Sequence, residues 1–298
     1  NLQSKKQQAA NGPQFLYTTE DQIKKFYDQM FPEKDQKEKF LSYRNEWYKR
    51  AKVLEHGNEP LAVTIELVST CNLACTMCYT ITDKFQNSVV GAQRKMPWKI
   101  VKKIIDEAYE IGVYSLMFSW RGESTLYKDK DENGNIIDFA DVLKYAREKG
   151  ILEITSLTHG QLIDEKMAEK IVKAEPSWIS FSIDGLSDNY NEIRTPPDKL
   201  NTNYDAFERV TKSIKYLVNY RNKLGKTRPQ IRTNTNFPAI QKDTEKYKKL
   251  MESIGVDMIT VNEIKDFRHH RLDEDEIDHD YACQYPFQRL TISANGVI

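Results

Sequence analysis

Six apolar, β-branched segments alternate with helical segments between residues 60 and 265, and this alternation constrains the fold more than any other feature. The strand candidates are Leu61–Val68, Val113–Ser119, Ile151–Leu157, Trp178–Ile183, Gln230–Thr235 and Met258–Glu263. Helical patterns lie between them, near residues 98–111, 138–149, 163–174, 204–223 and 242–253. Such a repeat favours a parallel sheet covered by helices. The pattern therefore predicts an α/β fold, a barrel or partial barrel whose site forms at the carboxyl ends of the strands.

Segments with different patterns flank this repeat. Two amphipathic helices, predicted at residues 19–31 and 34–55, form an N-terminal helical extension over residues 1–59. The repeat is predicted to be one domain over residues 60–267. Residues 268–298 contain an acidic run and end two residues after Asn295-Gly296, a hairpin signal between alternating residues. We therefore expect a linker there and the beginning of a further module that the sequence truncates.

The charge balance and the absence of long apolar runs restrict the class of protein. Lysine plus arginine and aspartate plus glutamate both number 44, which argues against binding nucleic acid by neutralising phosphates. The sequence has no apolar run near the ~20 residues that a membrane helix needs. The polar N-terminus lacks the apolar segment of a signal peptide. Few cysteines, three of them clustered, are typical of a reducing compartment, so we expect a cytoplasmic protein without a membrane or nucleic-acid partner.

Three of the four cysteines form the motif Cys71-x3-Cys75-x2-Cys78, which begins three residues after the first predicted strand. Three thiolates on one short loop can bind three corners of a soft metal centre, and an iron–sulfur cluster takes a thiolate on each iron. A cluster with only these local ligands has one iron open for another molecule. A structural zinc site is an alternative, although zinc sites usually pair C-x2-C with a second ligand pair that this chain lacks. Three ordinary thiols are the other alternative.

On this motif and its position the chain resembles the radical S-adenosylmethionine (SAM) superfamily over roughly residues 60–265. Further along, Cys283-x-x-Pro before a predicted strand and an Asn-Gly turn resembles the SPASM/twitch subgroup, whose members append a module with extra iron–sulfur clusters. The resemblance implies a partial (β/α)6 TIM-like barrel, a [4Fe-4S] cluster on Cys71, Cys75 and Cys78, and SAM on the open iron. It also implies an auxiliary iron–sulfur cluster with Cys283 as a metal ligand.

The resemblance further implies SAM-binding residues at the ends of successive strands. Gly122 and Glu123 follow the second strand and are similar to the superfamily's glycine–glutamate motif, which binds the amino group of SAM. Ser124 stands where relatives usually have proline, and a simple turn is the alternative. Ser182 and Asp184 end the fourth strand and resemble a segment that approaches the ribose and carboxylate of SAM.

Five further residues are candidates for a role in this site. Arg194 matches an arginine that grips the SAM carboxylate with a fork of hydrogen bonds, and Tyr79 stands where relatives place adenine-contacting residues, with core packing as the alternative. His159 is a candidate catalytic residue for proton transfer, or a turn residue. Cys283 is a second catalytic candidate, a hydrogen-atom donor to a substrate radical, or a free surface thiol. Glu66 points into the barrel if the strand alternates, where it contacts substrate or forms an ion pair.

Together these features predict a radical SAM enzyme of the oxidoreductase or epimerase type. A reductase, flavodoxin or ferredoxin supplies one electron to the cluster, SAM is cleaved, and the resulting radical abstracts a hydrogen atom from the substrate. The preferred substrate is a sugar or polysaccharide precursor, which the enzyme oxidises or epimerises. The alternatives are a peptide or protein maturase of the same superfamily and, from another class, a non-enzymatic iron–sulfur or zinc protein.

Overall fold

A mostly parallel β-sheet forms the centre of the structure, a computed structural model that describes residues 15–16, 19–89, 95–196, 204–262 and 283–298. The strands of the sheet are β1 (Phe15–Leu16), β2 (Ala62–Ile65), β3 (Ser115–Met117), β6 (Glu153–Thr158), β7 (Trp178–Ser182), β8 (Gln230–Asn236), β9 (Met258–Asn262) and β10 (Arg289–Ile292). Their spatial order is β1-β9-β8-β7-β6-β3-β2-β10, and β1 alone among them runs antiparallel to its neighbour. A separate hairpin consists of β4 (Lys128–Lys130) and β5 (Ile136–Asp138).

Helices precede the parallel strands of the sheet and connect them. They are α1 (Glu20–Met30), α2 (Lys34–Val53), α3 (Asp83–Gln86), α4 (Trp98–Glu110), α5 (Phe139–Lys149), α6 (Glu165–Ala174), α7 (Ser187–Ile193), α8 (Ala206–Lys223), α9 (Phe237–Ile240), α10 (Thr244–Ser253) and α11 (Tyr285–Gln288). Helix α5 begins with a capping box on Asp138 and ends at Gly150, whose φ of +103° suits glycine. Within the described residues, no helix is both long and apolar enough to cross a membrane.

The main core lies between the outer face of the sheet and the connecting helices. Val63 and Ile65 of β2 point to this side and are buried with Val101 and Ile105 of α4. Successive side chains of a strand alternate between faces, so Glu66 lies on the opposite, inner face of the partial barrel. The sheet therefore buries apolar residues against the helices and turns a polar face toward the barrel interior.

The N-terminal extension closes the barrel at the amino ends of the parallel strands. A second apolar cluster joins Phe40 and Tyr43 of α2 to Leu61 before β2 and to Met258 at the start of β9. The rings of Tyr43 and Tyr114 stack with their centroids 5.3 Å apart. Because these contacts cover the amino ends of the strands, a site can form at the opposite edge of the sheet, where the carboxyl ends of the strands lie.

The C-terminal segment joins the main sheet. Arg289 pairs with Ala62 and Ile292 with Ile65, so β10 runs parallel to β2 and begins at the amino end of the sheet. The strand after the predicted boundary at residue 268 thus extends the barrel's own sheet, and the boundary itself stays a prediction. The Asn295-Gly296 turn is formed, with a hydrogen bond from the Ser293 N–H to the Val297 carbonyl at 2.8 Å.

The predicted strands agree closely with the observed ones. Each of the six predicted segments overlaps a parallel strand, and the five predicted connecting helices correspond to α4, α5, α6, α8 and α10. The short helix α7 after β7 and the strand pairing of β10 with β2 were not predicted from the sequence. Glu263 at the end of the last predicted strand, and the acidic run at residues 273–278, lie outside the described residues.

Candidate metal centre and cofactor site

The cysteine motif forms one loop at the carboxyl end of β2. Cys75 is buried, Cys71 and Cys78 are half-buried, and all three thiols are free. The Leu73 N–H donates to Cys71 Sγ at 3.4 Å, and Cys78 Sγ lies 2.9 Å from Thr80 Oγ1. Burial raises the pKa of the Cys71 thiol to about 12. A bound metal would act in the opposite direction, because metal coordination deprotonates a thiol.

Helix α7 and the residues after it hold this loop in place. The Ala74 N–H donates to the Thr195 carbonyl at 2.7 Å, and the Thr76 N–H donates to the Ile193 carbonyl at 3.1 Å. Arg194, between these two acceptors, places Nη1 3.9 Å from Cys75 Sγ. A predicted SAM-binding arginine therefore lies directly beside a predicted metal ligand.

Asp184 fixes the Arg194 guanidinium. Its Oδ2 accepts from Arg194 Nε at 2.7 Å and lies 2.5 Å from Nη2. Its Oδ1 accepts from the backbone N–H and from Nδ2 of Asn236, both at 3.0 Å. Burial lowers the pKa of Arg194, but the charges of Asp184, Cys75 and Tyr190 and the hydrogen bond to Asp184 together raise it by more, so the guanidinium stays charged. The carboxylate is thus fully used by the protein, whereas the arginine keeps N–H donors on the side of the cysteine loop.

The Gly122 turn packs against the chain that leads into the cysteine loop. Gly122 has a φ of +68°, and a Cβ there would lie 2.5 Å from the Val68 carbonyl oxygen and 2.6 Å from that of Thr70. The Glu123 N–H donates to the same Thr70 carbonyl at 2.9 Å. Only glycine allows this approach, so the turn and the residue before Cys71 form one backbone unit.

The Glu123 carboxylate is buried and holds the ends of two strands together. Its Oε1 accepts from Thr158 Oγ1 at 2.6 Å and from Oγ1 and the N–H of Thr125 at 2.7 and 3.1 Å. Its Oε2 accepts from the His159 N–H at 2.9 Å. Burial raises the pKa of Glu123, but the neighbouring His159 and these hydrogen bonds outweigh it and hold the pKa below its usual range.

Both ring nitrogens of His159 contact other residues of the site. The Gln161 N–H donates to Nδ1 at 3.0 Å, so Nδ1 is an acceptor and the proton sits on Nε2. Nε2 then donates to Asn72 Oδ1 at 2.9 Å. Burial lowers the pKa of His159, more than the Glu123 charge raises it, which favours this neutral form. The geometry therefore favours a role in holding the cysteine loop, through Asn72, over the proposed proton transfer.

Asn72 and Thr158 belong to the site but were not predicted from the sequence. Asn72 lies inside the cysteine motif, and Thr158 directly precedes His159. A polar side chain next to a predicted functional residue was the signal that could have found both. Asn236 follows the last strand-forming residue of the predicted fifth strand, and its contact with Asp184 depends on the pairing of β7 with β8.

The remaining predicted residues differ in their placement. Tyr79 is half-buried and packs edge-on against Phe85 with ring centroids 5.5 Å apart, which fits core packing and leaves part of the ring exposed. Ser182 ends β7 on the face opposite to the buried Phe181, so it lies on the inner side of the sheet. Glu66 forms an ion pair with Arg121, Oε1 to Nε at 2.7 Å, and this decides between its two predicted roles.

Cys283 lies away from the other cysteines. It is exposed and precedes α11, which leads into the start of β10 at the amino end of the sheet. Cys71, Cys75 and Cys78 follow β2 at the carboxyl end. The arrangement does not favour the catalytic role predicted for Cys283, because a hydrogen donor must reach the substrate radical beside the cluster and SAM.

The three clustered thiols fit an iron–sulfur cluster by their donor chemistry. Among the described residues, no group of three or more histidine, cysteine, aspartate or glutamate side chains converges on a position for a single metal ion. The thiolates of a cluster bind different irons and need not converge on one point. N–H groups that donate to the sulfurs, as Leu73 does, are one means by which a protein tunes such a centre.

Comparison with known proteins agrees with the family that the sequence resembles. A family model described as the radical SAM superfamily matches residues 65–227, more than half of the chain. Fe-coproporphyrin III synthase of Methanosarcina barkeri (strain Fusaro / DSM 804) is 30% identical over 132 residues, which are 44% of this chain and 29% of that protein.

Two solved structures share the fold. Native anSMEcpe with bound AdoMet, that is SAM, has a TM-score of 0.52 and 18% identity, covering 70% of this chain and 52% of that one. Streptococcus suis SuiB bound to precursor peptide SuiA has a TM-score of 0.51 and 19% identity, covering 85% of this chain and 62% of that one. The chain thus spans less than two thirds of the length of each relative.

Proposed function

The chain belongs to the radical SAM superfamily, and from this premise we propose that it cleaves SAM reductively and removes a hydrogen atom from a substrate. The observation that carries the proposal is the three-cysteine loop at the carboxyl end of β2, with the Arg194 guanidinium 3.9 Å from Cys75 Sγ. When bound, a [4Fe-4S] cluster and SAM supply the electron transfer and the hydrogen-abstracting group. Cys71, Cys75 and Cys78 would hold the cluster.

The residues around the loop can bind the polar groups of SAM. Asp184 accepts from Nε and from one N–H of Nη2 of Arg194. The remaining N–H donors of the guanidinium suit the SAM carboxylate. Glu123 Oε2 accepts one hydrogen bond among the described residues, from the His159 N–H at 2.9 Å, and lies 3.5 Å from His159 Nε2, so it has acceptor capacity for the SAM amino group. On the same proposal Ser182 approaches the ribose and the exposed part of Tyr79 the adenine.

His159 acts in this proposal as a positioning residue. Its Nε2–H holds Asn72, between Cys71 and Leu73, while its backbone N–H holds Glu123. One residue at the end of β6 thereby fixes both the cysteine loop and the carboxylate that faces SAM. The proton on Nε2 is used to orient the loop, so no proton needs to leave His159 during the reaction.

The substrate is proposed at the level of its chemical class. The first candidate is oxidation or epimerisation of a sugar or polysaccharide precursor. SuiB, which shares the fold, was solved with its precursor peptide, and this favours a peptide as the second candidate. Either reaction needs an electron donor such as a flavodoxin, a ferredoxin or their reductase. Cys283 would act, if at all, as a ligand of an additional cluster.

Anaerobic reconstitution with iron and sulfide, followed by SAM and dithionite, tests the proposal. We expect 5′-deoxyadenosine and methionine from the wild-type protein and neither from Cys75→Ala. Cys283→Ala is the matched control, because it removes a thiol at the other end of the sheet, and it is expected to retain SAM cleavage. Full cleavage by Cys75→Ala would refute the assignment.

Deuterium-labelled candidates identify the substrate class. A sugar precursor or a peptide that loses a hydrogen atom to the enzyme transfers deuterium to 5′-deoxyadenosine, which mass spectrometry detects. Transfer from labelled peptides but not from labelled sugars would replace the sugar proposal with the peptide one, and the reverse result would exclude the peptide.

A further inference from the structure

A buried ion pair joins the C-terminal strand to the turn that contains Gly122. Glu66 is fully buried, and its two oxygens accept from Nε and Nη2 of Arg121 at 2.7 and 2.9 Å. Its Oε2 also accepts from the Ala294 N–H at 2.8 Å, and Arg121 Nη2 donates to Ser293 Oγ at 2.8 Å. One carboxylate and one guanidinium therefore connect three segments: the end of β2, the Gly122 turn and the chain that leaves β10.

The same guanidinium contacts the segment that follows the cysteines. Arg121 Cζ lies 5.4 Å from the centre of the Phe85 ring, and Phe85 packs edge-on against Tyr79. Beyond β10, Asn295 Nδ2 donates to the Val89 carbonyl at 3.0 Å. The C-terminal segment thus contacts both sides of the cofactor site, the glycine turn through Arg121 and the post-cysteine segment through Asn295.

The Gly122 turn cannot move independently of these contacts. Arg121 directly precedes Gly122, whose backbone lies against the carbonyls of Val68 and Thr70 without room for a Cβ. The Glu123 N–H donates to Thr70, and the next residue is Cys71. Close-packed backbone transmits small displacements, so a shift of Arg121 reaches the carboxylate of Glu123 and the start of the cysteine loop.

We infer that the Glu66–Arg121 pair is a latch through which the docked C-terminal strand positions the glycine–glutamate turn, so that SAM affinity depends on the contacts of Ser293 and Ala294. Arg121 is a positioning residue in this scheme. The measurement of SAM affinity that tests the inference rests on the proposed function. An arginine is required because the planar fork satisfies both Glu66 oxygens while a third donor reaches Ser293. A lysine has one nitrogen and cannot make all three contacts in this geometry.

Two variants weaken the latch without removing a buried charge. Ser293→Ala deletes only the hydrogen bond to Arg121 Nη2, and Arg121→Lys keeps the positive charge but loses the fork. Arg221→Lys is the matched control: Arg221 makes a similar fork with Asp257, Nη1 to Oδ2 at 2.5 Å and Nη2 to Oδ1 at 3.3 Å, before β9 at the amino end of the sheet. Circular dichroism and iron per chain establish that each variant folds and retains the cluster.

The first readout is the dissociation constant of SAM for the reconstituted protein, measured by equilibrium dialysis. We expect it to rise about fivefold in Ser293→Ala and about tenfold in Arg121→Lys, typical sizes for coupling between sites, and to stay unchanged in Arg221→Lys. The second readout needs no cofactor: hydrogen exchange at the Glu123 amide is expected to accelerate in the two latch variants and not in the control.

The outcomes separate this inference from the proposed function. Wild-type SAM affinity and wild-type exchange in both latch variants would overturn the latch while leaving the proposed function intact. An equal loss of affinity in Arg221→Lys would also overturn it, because the effect would then be general destabilisation. A wild-type protein that does not bind SAM would overturn the proposed function, and faster exchange in the latch variants would still support the structural coupling.

Discussion

His159→Asn is the substitution that best distinguishes a positioning residue from a proton-transfer residue. An asparagine oxygen can still accept from the N–H two residues ahead, as asparagine commonly does in turns, so the contact with Gln161 is retained. The shorter side chain cannot reach Asn72 Oδ1, which the histidine contacts at 2.9 Å. Loss of one neutral hydrogen bond costs about 0.5–1.5 kcal/mol, and the small cavity left by the ring adds about 1 kcal/mol.

The expected result is a stability loss of about 1–3 kcal/mol with a modest effect on turnover. If the misplaced loop raises the activation free energy by about 1.4 kcal/mol, the rate falls by about tenfold. Removal of a general acid or base costs about 100- to 10,000-fold and abolishes one limb of the pH–rate profile. The two roles therefore differ by at least tenfold in kcat and in the shape of that profile.

Urea unfolding and the pH dependence of 5′-deoxyadenosine formation measure these effects. His56→Asn, which replaces an exposed histidine, is the control and is expected to change stability by less than about 0.5 kcal/mol. A drop of more than about 100-fold in kcat for His159→Asn, with loss of a pH limb and unchanged cluster content, would refute the positioning role.

The same residue predicts a pH dependence of stability. Burial lowers the pKa of His159 in the folded protein, so the unfolded chain binds the proton more tightly. The stabilising contribution is therefore complete above the unfolded pKa of about 6.5 and is lost as the pH falls through the folded pKa below it. The stability of the His159→Asn variant should change less than that of the wild type between pH 7.5 and 5.5, as urea unfolding at the two pH values would show.

Three further predictions concern the same site. Gly122→Ala should lower the free energy of unfolding by about 2–5 kcal/mol, since it combines left-handed strain with a clash against backbone carbonyls. Gly112→Ala is the control, because Gly112 has a φ of +82° but nothing lies within 4 Å of the added Cβ. This control should cost only about 1–2 kcal/mol in the same urea assay. Asp184→Asn should cost about 3–5 kcal/mol and weaken SAM binding, because it leaves a guanidinium without its carboxylate, whereas exposed Asp188→Asn should change neither. The lowered pKa of Glu123 predicts a further loss of stability as the pH falls below about 4.5 and through the folded pKa; a Glu123→Gln variant whose stability is equally pH-dependent in that window would contradict it.

The cofactor site combines residues from several strand ends, and the sequence located most of them. Cys71, Glu123 and Asp184 each follow a predicted strand within a few residues, and parallel strands bring their carboxyl ends to one edge. Proximity of these residues was therefore a consequence of the repeat alone. The repeat does not give the partner of each carboxylate, because Thr158 and Asn236 come from neighbouring strands whose register the pattern does not give.

Cys283 and Glu66 are two further residues whose surroundings the sequence pattern did not give. The pattern around Cys283 predicted a strand and a turn, but the parallel pairing of β10 with β2 places the cysteine at the amino end of the sheet. Glu66 was expected on the inner face by alternation, and both of its possible partners were compatible with that position. The ion pair with Arg121 depends on how the turn after β3 folds back over the end of β2.

The sequence by itself determined the strand–helix repeat, the edge of the sheet where the candidate site lies and the candidate thiol ligands, because hydrophobic periodicity and motif spacing are local properties of the chain. The tertiary structure alone decided which side chains are already used by the protein: Glu66 is neutralised by Arg121, Asp184 orients Arg194, and His159 holds the cysteine loop. These contacts join residues 10 to 87 positions apart. Their geometry follows from strand register and backbone turns, which arise only when the whole sheet is assembled.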